Sequence, residues 1–176
     1  MSDVPFGARA TTSLIIGGAR SGKSRLAEER LTAMGGGTFI ATAQIWDEEM
    51  AERISLHRAS RPADWTLIEE PHDLIGALDR AEGYGRPILV DCLTLWLSNR
   101  LLAGADLMAE SRALADRLTS PAQPVLLVTN EVGLAIVPET PLGRRFRDAA
   151  GSLNQRLAAI AGDVTLVVAG LSLKLK

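Results

Sequence analysis

Short apolar runs alternate along the chain with segments whose apolar residues recur at helical spacing. The apolar runs are typical of strands, and they span residues 13–16, 38–43, 65–68, 87–92, 124–129 and 164–169. The segments between them predict helices at residues 47–59, 72–81, 93–102, 107–118 and 142–161. Several strands are hydrophobic throughout, as in a parallel sheet covered by helices on both faces. The pattern therefore predicts an α/β fold with a mostly parallel sheet flanked by helices and right-handed crossovers.

The last six residues alternate strictly between apolar and polar positions, in the order Leu171-Ser172-Leu173-Lys174-Leu175-Lys176. Such alternation predicts a half-exposed strand, and we expect it to be antiparallel and to lie at an edge of the sheet. Residues 1–12 are expected to form a flexible leader. Residues 13–176 are then expected to fold as a single domain.

Composition narrows the possible functions. The chain has 176 residues, of which 47% are hydrophobic, as in ordinary globular proteins. A formal net charge of -2 provides no electrostatic footprint for nucleic acid, and no apolar run reaches the ~18 residues that a membrane span needs. Cys92 is the only cysteine, so no internal disulfide can form. Because the first residues do not resemble a secretion signal, we expect a cytoplasmic location.

Residues 17–24 carry the strongest chemical signal, the G-x-x-x-x-G-K-S pattern of a phosphate-binding loop (P-loop). Its glycines allow several backbone N–H groups to surround one anion, and the following helix adds its positive end. Lys23 is expected to contact the outer phosphates of ATP or GTP, and Ser24 to offer its hydroxyl to Mg²⁺. The predicted phosphate-binding residues are Gly17, Gly18, Ala19, Arg20, Ser21, Gly22, Lys23 and Ser24.

Asp91 is a second nucleotide signal, because it ends the apolar run Ile88-Leu89-Val90. P-loop enzymes place an aspartate there to hold Mg²⁺, directly or through water. Ser24 and Asp91 are therefore the predicted metal ligands. The alternative for Asp91 is a helix N-cap, since a helix is predicted from residue 93. The neighbouring Cys92 is interpreted as a small buried side chain rather than a nucleophile.

Polar residues also follow the strand predicted at residues 124–129, in the order Thr129-Asn130-Glu131. Side chains at the tip of a central strand point toward the ligand edge of the sheet. These residues could position a nucleophile or a water molecule. Turn and cap chemistry leading into Gly133 is an equally weighted alternative.

His57 lies among three arginines, Arg53, Arg58 and Arg61, on a predicted helix. Nearby cations favour a neutral, nucleophilic imidazole and attract triphosphate. From the residues alone, however, a solvated charged face with an incidental histidine is the preferred interpretation. The other histidine, His72, reads as a helix-start residue, and we assign it no chemistry.

Several segments together closely resemble one family, the bifunctional adenosylcobinamide kinases / adenosylcobinamide-phosphate guanylyltransferases of cobalamin biosynthesis. The most particular are Thr129-Asn130-Glu131-Val132-Gly133 and Asn154-Gln155-Arg156-Leu157-Ala158. The P-loop, Ile40 to Gln44, Asp47 to Met50, and His57-Arg58 with Arg61-Pro62 and Trp65 also agree. The resemblance extends from about Leu14 to the last residue.

The resemblance implies a RecA-like P-loop fold, a homotrimer and two reactions. In the first reaction, ATP or GTP phosphorylates the aminopropanol hydroxyl of adenosylcobinamide. In the second, GMP passes from GTP through a histidine to the resulting adenosylcobinamide phosphate, and pyrophosphate is released. The matching histidine in this chain is His57, so the resemblance reverses the interpretation that the residues alone favour.

The resemblance also implies further nucleotide-binding positions, which match one stretch after the second strand, one beside His57 and two carboxylates. They are Thr42, Ala43, Gln44, Arg58, Ala59, Ser60, Arg61, Glu69 and Asp91. Two other functions remain open at this point. One is a simple P-loop kinase for a small molecule, in which His57 is idle, and the other is a nucleotide-dependent switch that signals to a protein partner.

Overall fold

The computed structural model describes residues 11–44, 62 and 64–176. Within these residues the strands are β1 (Thr12–Gly17), β2 (Thr38–Ala41), β3 (Thr66–Glu69), β4 (Ile88–Asp91), β5 (Val125–Asn130), β6 (Asp163–Val168) and β7 (Leu171–Lys174). The helices are α1 (Lys23–Ala33), α2 (Leu74–Glu82), α3 (Leu93–Leu102), α4 (Leu107–Leu118) and α5 (Pro141–Ile160). The helix predicted at residues 47–59 lies outside the described residues. The other predicted elements are confirmed, with ends that differ by up to two residues.

All seven strands form one sheet in the order β3-β2-β4-β5-β1-β6-β7. Among the described strands, β1 to β6 pair in parallel, and β7 pairs antiparallel with β6. Parallel strands bring their carboxyl ends to the same edge, where ligands of open α/β sheets bind. β5 lies between β1, which leads into the P-loop, and β4, which ends at Asp91. The strand order therefore brings the P-loop and Asp91, which are distant in sequence, to the same edge of the sheet.

Apolar side chains form a core on each face of the sheet. On one face, Ala27 and Leu31 of α1 pack with Ile15 and Leu126 of the central strands. On the other face, apolar residues of α2, α3, α4 and α5 pack against strand residues such as Leu127. Residues 125–129 of β5 are all buried, because this strand is covered on both faces. A central sheet held in this way is a rigid support for the loops at its edge.

Short side chains fix where the described helices begin. Asp73 accepts a hydrogen bond from the Gly76 N–H at 3.0 Å, so α2 begins at Leu74, two residues later than the pattern predicts. Thr140 caps α5 in the same way, and Pro141 occupies its first turn. None of the described helices is long and apolar enough to span a bilayer.

The hairpin of β6 and β7 ends the chain at the edge of the sheet, as predicted. Its two turn residues, Ala169 and Gly170, have positive φ angles of 53° and 79°, which is typical of the tight turns that match strand twist. The alternating pattern predicts one covered face, but all four residues of β7 are exposed. The prediction of a half-exposed strand is therefore wrong, because no helix among the described elements packs over this outermost strand.

Candidate active site at the carboxyl edge of the sheet

The P-loop connects β1 to α1 in the arrangement that the sequence predicts. Gly22 has a φ of 100° and Arg20 a φ of 55°, so the chain passes through the left-handed region twice within three residues. Gly22 is also the N-cap residue of α1. Because glycine has no side chain, no cap group occupies the first N–H groups of the helix. They remain directed at the loop, where a phosphate would bind.

Gly17 is required by a close approach of two strands. A Cβ atom built on Gly17 would lie 2.3 Å from the Val167 carbonyl oxygen and 2.8 Å from the Ser21 Oγ. The Val167 carbonyl belongs to the backbone of β6, so a change of side-chain rotamer cannot relieve this clash. The Gly170 N–H also donates to the Ser21 carbonyl at 2.9 Å, so the β6–β7 turn holds the loop from the same side.

We expect Gly17→Ala to lower the free energy of unfolding by about 1–3 kcal/mol through overpacking, and to weaken nucleotide binding by displacing the loop. Gly18→Ala is the matched control for the unfolding measurement, because nothing lies within 4 Å of a Cβ at that position. Urea unfolding and titration with a fluorescent GTP analogue measure the two effects. Equal free energies of unfolding in the two variants would contradict the close-approach explanation.

Lys23 is buried, with only 7% of its surface exposed. Its Nζ donates to the Gly18 carbonyl oxygen at 2.6 Å, so the ammonium is held across the mouth of the loop. Burial lowers the pKa of Lys23, while the negative charges that Cys92 and Asp91 can carry oppose that change. A buried cation that has few partners gains strongly from an incoming phosphate.

Asp91 lies near enough to Lys23 for its charge to act on the lysine. The carboxylate therefore flanks the phosphate loop, as the sequence predicts. The alternative interpretation of Asp91 as a helix N-cap is wrong, because Cys92 occupies the N-cap position of α3. The helix begins one residue later than that alternative requires, which leaves Asp91 at the end of β4 and on the ligand edge.

Ser24 and Asp91 provide a hydroxyl and a carboxylate, the hard oxygen donors that Mg²⁺ prefers. Among the described residues, no group of three or more His, Cys, Asp or Glu side chains could hold a metal ion. One hydroxyl and one carboxylate suit Mg²⁺, which is usually bound by one or two protein oxygens together with substrate phosphates and water. The donor chemistry of the site is thus consistent with the predicted ligands.

Thr42 binds the backbone beside Asp91. Its hydroxyl donates to the Cys92 carbonyl at 2.7 Å and accepts from the Cys92 N–H at 2.9 Å. Asn99 on α3 donates to the Thr42 carbonyl at 2.9 Å. These contacts fix the end of β2 to the end of β4. The Thr42 hydroxyl and carbonyl are engaged in these bonds, and the predicted nucleotide contacts of Thr42, Ala43 and Gln44 stay predictions.

Cys92 is buried, and burial raises the pKa of its thiol, an effect that Asp91 reinforces. Its Sγ lies 3.1 Å from the Thr94 hydroxyl. A thiol held neutral in this way is a poor nucleophile. The structure thus agrees with the interpretation of Cys92 as a small buried side chain.

His72 contacts a predicted nucleotide-binding residue, which the sequence did not suggest. Its Nε2 lies 2.9 Å from the Gln44 Nε2, and the Trp96 indole donates to the His72 carbonyl at 3.0 Å. Glu70 accepts from the His72 N–H at 3.1 Å. Although burial opposes ionisation, this bond, the Asp73 N–H and the Arg80 guanidinium hold the pKa of Glu70 below its usual value. The segment after β3 therefore contacts the Gln44 side chain through His72 and helps to hold it in place.

The polar residues at the tip of β5 belong to a buried network. The Thr129 hydroxyl donates to the Asn154 Oδ1 at 2.8 Å, and the Asn154 amide donates to the Asn130 carbonyl at 3.1 Å. The Asn130 amide donates to the Thr94 hydroxyl at 2.7 Å. Glu131 accepts from the Gly133 N–H at 2.6 Å, which is the turn chemistry of the alternative interpretation. Asn154 belongs to a segment that resembles the family, but its contact with β5 was not predicted, because helical spacing does not indicate which distant strand a helix residue touches.

Glu69 lies at the end of β3 and is exposed. It pairs in register with Ala41, which pairs on its other side with Asp91. Adjacent strands are ~4.8 Å apart, so the two carboxylates lie two strands apart on the same edge. His57, Arg58, Ala59, Ser60 and Arg61 lie outside the described residues, and their predicted roles stay predictions.

Comparison with known proteins finds relatives that match nearly the whole chain. Residues 13–175 match the model of the family described as cobinamide kinase / cobinamide phosphate guanyltransferase. The chain is 50% identical over 167 residues to the bifunctional adenosylcobalamin biosynthesis protein CobP of Pseudomonas aeruginosa, covering 93% of this chain and 96% of that protein. It is 43% identical over 179 residues to CobU of Salmonella typhimurium, covering 93% and 98%.

A solved structure of a Pyrococcus horikoshii OT3 protein, Project ID PH0250, shares the fold, with a TM-score of 0.51 and 8% identity over 96% of this chain and 88% of that chain. The strand order and the position of the P-loop are those of a RecA-like P-loop fold. The family model covers nearly the whole chain, including the P-loop and Asp91. The chain therefore belongs to the cobinamide kinase / cobinamide phosphate guanyltransferase family.

Proposed function

We propose that this protein phosphorylates adenosylcobinamide with ATP or GTP and then transfers GMP from GTP to the product, yielding adenosylcobinamide-GDP and pyrophosphate. The observation that supports this most directly is the buried Lys23 in a P-loop beside Asp91, in a chain that the family model matches over residues 13–175. A buried lysine and a neighbouring carboxylate suit the outer phosphates and the metal of a nucleotide.

In the first reaction, the acceptor hydroxyl oxygen attacks the γ-phosphorus of the nucleotide. A new P–O bond forms, the bond to the β–γ bridging oxygen breaks, and the hydroxyl proton is released. Catalysis of such a transfer is mostly positioning and charge stabilisation. Lys23 and the N–H groups at the start of α1 are positioned to hold the charge that develops on the leaving diphosphate.

In the second reaction, an imidazole nitrogen of His57 attacks the α-phosphorus of GTP and pyrophosphate leaves. The phosphate oxygen of the acceptor then attacks the same phosphorus, and the P–N bond breaks. A covalent intermediate divides one difficult transfer into two easier steps. The two reactions require different phosphorus atoms in line with a nucleophile. We therefore propose either two poses of the nucleotide or a movement of the segment that carries His57.

Mg²⁺, when bound by Ser24 and Asp91, would neutralise charge on the phosphates. We further propose that the protein acts in the cytoplasm and as a homotrimer. The homotrimer is what the family resemblance implies. Light scattering from the purified protein tests the trimer, since a homotrimer has three times the mass of the 18.8 kDa chain.

The proposed function is tested by incubating the protein with adenosylcobinamide, Mg²⁺ and either ATP or GTP, and separating the products by chromatography. We expect adenosylcobinamide phosphate with ATP alone and adenosylcobinamide-GDP when GTP is present. Chelation of Mg²⁺ with EDTA is the control and should stop both reactions. The phosphate without any GDP product would favour a simple small-molecule kinase, and nucleotide binding without either product would favour a switch.

A further inference from the structure

The segment between β5 and α5 carries large apolar side chains that face solvent. Leu134 is 88% exposed, Ile136 is 94% exposed and Val137 is 62% exposed. Apolar side chains so fully exposed and so close in sequence mark interaction sites more often than scattered ones do. We call the segment from Leu134 to Val137 the apolar loop.

The apolar loop is held at both ends. At its start, the Glu131 N–H donates to the Gly17 carbonyl at 3.0 Å, which joins it to the first glycine of the P-loop. At its end, the Arg144 guanidinium donates to the carbonyls of Pro138 and Glu139 at 3.0 and 2.7 Å. The exposed residues therefore lie on a short segment whose two ends are held by hydrogen bonds. One of these bonds joins the segment to the P-loop.

The strand order determines what this span faces. β5 lies between β1 and β4, so the segment that follows β5 begins between the end of β1, which leads into the P-loop, and the end of β4 at Asp91. Lys23 and Asp91 define the end of the phosphate chain from which the phosphoryl group is transferred. In an in-line transfer, the acceptor approaches opposite the leaving nucleoside diphosphate. The acceptor therefore comes from beyond the outer phosphate, at the same carboxyl edge of the sheet from which the segment carrying the apolar loop leaves β5.

We propose that the apolar loop binds the corrinoid acceptor of both reactions by packing against its macrocycle. A corrin presents a wide, largely apolar face, while its reactive hydroxyl lies at the end of a peripheral side chain. Apolar side chains on a fixed loop can cover such a face and leave the hydroxyl directed toward the P-loop. This inference rests on the proposed function, and it assigns acceptor recognition to residues outside the nucleotide site.

The test compares Leu134→Ser, Ile136→Ser and the double variant with the wild type. Equilibrium dialysis against cobinamide, followed by its visible absorbance, measures acceptor binding, and a fluorescent GTP analogue measures nucleotide binding. We expect the double variant to bind cobinamide roughly tenfold more weakly or worse, with GTP affinity and melting temperature unchanged. Leu173→Ser is the matched control, because Leu173 is an equally apolar residue, 59% exposed, on β7. It should bind cobinamide as the wild type does.

Three results would overturn the inference. The first is a cobinamide affinity in the double variant within twofold of that of the wild type. The second is a loss of GTP affinity as large as the loss of cobinamide affinity, which would indicate general damage to the carboxyl edge of the sheet. The third is a change of molecular mass by light scattering, which would assign the loop to contacts between copies. Failure of the inference is separable from failure of the proposed function, because the latter requires that the wild type itself neither binds nor phosphorylates cobinamide.

Discussion

Replacing Lys23 with alanine is expected to lower kcat/KM for phosphorylation of the corrinoid and for guanylyl transfer together, each by roughly 100- to 1,000-fold. The two reactions act on different phosphorus atoms, but both generate negative charge on oxygens held by the same P-loop. Lys23 is the buried cation of that loop. Removal of a preorganised charge from a partly water-excluded site costs more than removal of a surface charge.

The matched control is Lys174→Ala. The Lys174 side chain is 74% exposed, and its nearest acidic partner, Asp163, lies at 4.0 Å, so the loss of this lysine should leave both rates near wild type. The measurement is initial rates with ATP for the first reaction and with GTP and purified phosphate acceptor for the second. A wild-type rate of guanylyl transfer in Lys23→Ala would mean that the two transfers use separate phosphate sites.

The parts of the site that could be predicted from sequence are those coded locally. The P-loop needs only adjacent residues, since Gly22 supplies the left-handed turn and Lys23 follows it directly. The strands could be predicted because β4 and β5 are buried on both faces and so read as continuous apolar runs. Asp91 could be predicted for the same reason, as the first charged residue after such a run.

The contacts that support the site could not be predicted, because they join residues distant in sequence. The Thr42 hydroxyl reaches Cys92 across fifty positions only because β2 pairs with β4. Asn154 reaches the tip of β5 from the middle of a helix, and its neighbours give no sign of that contact. The half-exposed β7 was predicted wrongly for a related reason. Alternation indicates which residues share a face, but whether a helix covers that face depends on the whole fold.

The strand order adds a constraint that the motifs do not contain. A P-loop and a distant aspartate are compatible with several sheet orders, but here β5 separates β1 from β4 by one strand. Side chains at the tip of β5 extend toward β4, because the Asn130 amide donates to the Thr94 hydroxyl, which lies 3.1 Å from the Cys92 Sγ next to Asp91. The separation of Lys23 and Asp91 thus follows from the strand order rather than from either motif.

Replacing His57 with alanine is expected to abolish covalent guanylylation while the kinase step with ATP continues. The reason is that only the second reaction is proposed to pass through a P–N bond. After incubation with GTP labelled at the α-phosphate and denaturing electrophoresis, the wild type should retain acid-labile label and the variant should show background. Transfer of GMP to the acceptor should fall by roughly 10⁴-fold or more, as when a covalent nucleophile is removed. Adenosylcobinamide phosphate should then accumulate.

The chain offers an internal control, because it has only two histidines, His57 and His72. A histidine-linked label must therefore be on one of them. The His72 imidazole lies beside Gln44, a predicted nucleotide contact, so His72→Ala could weaken GTP binding but should still become labelled at saturating GTP. Label that persists in His57→Ala and disappears in His72→Ala would assign the nucleophile to His72 and contradict the proposed mechanism. Label that persists in the double variant, which has no histidine, would exclude histidine altogether. Because the two substitutions remove the same chemical group from different places, their comparison separates loss of the nucleophile from loss of nucleotide affinity.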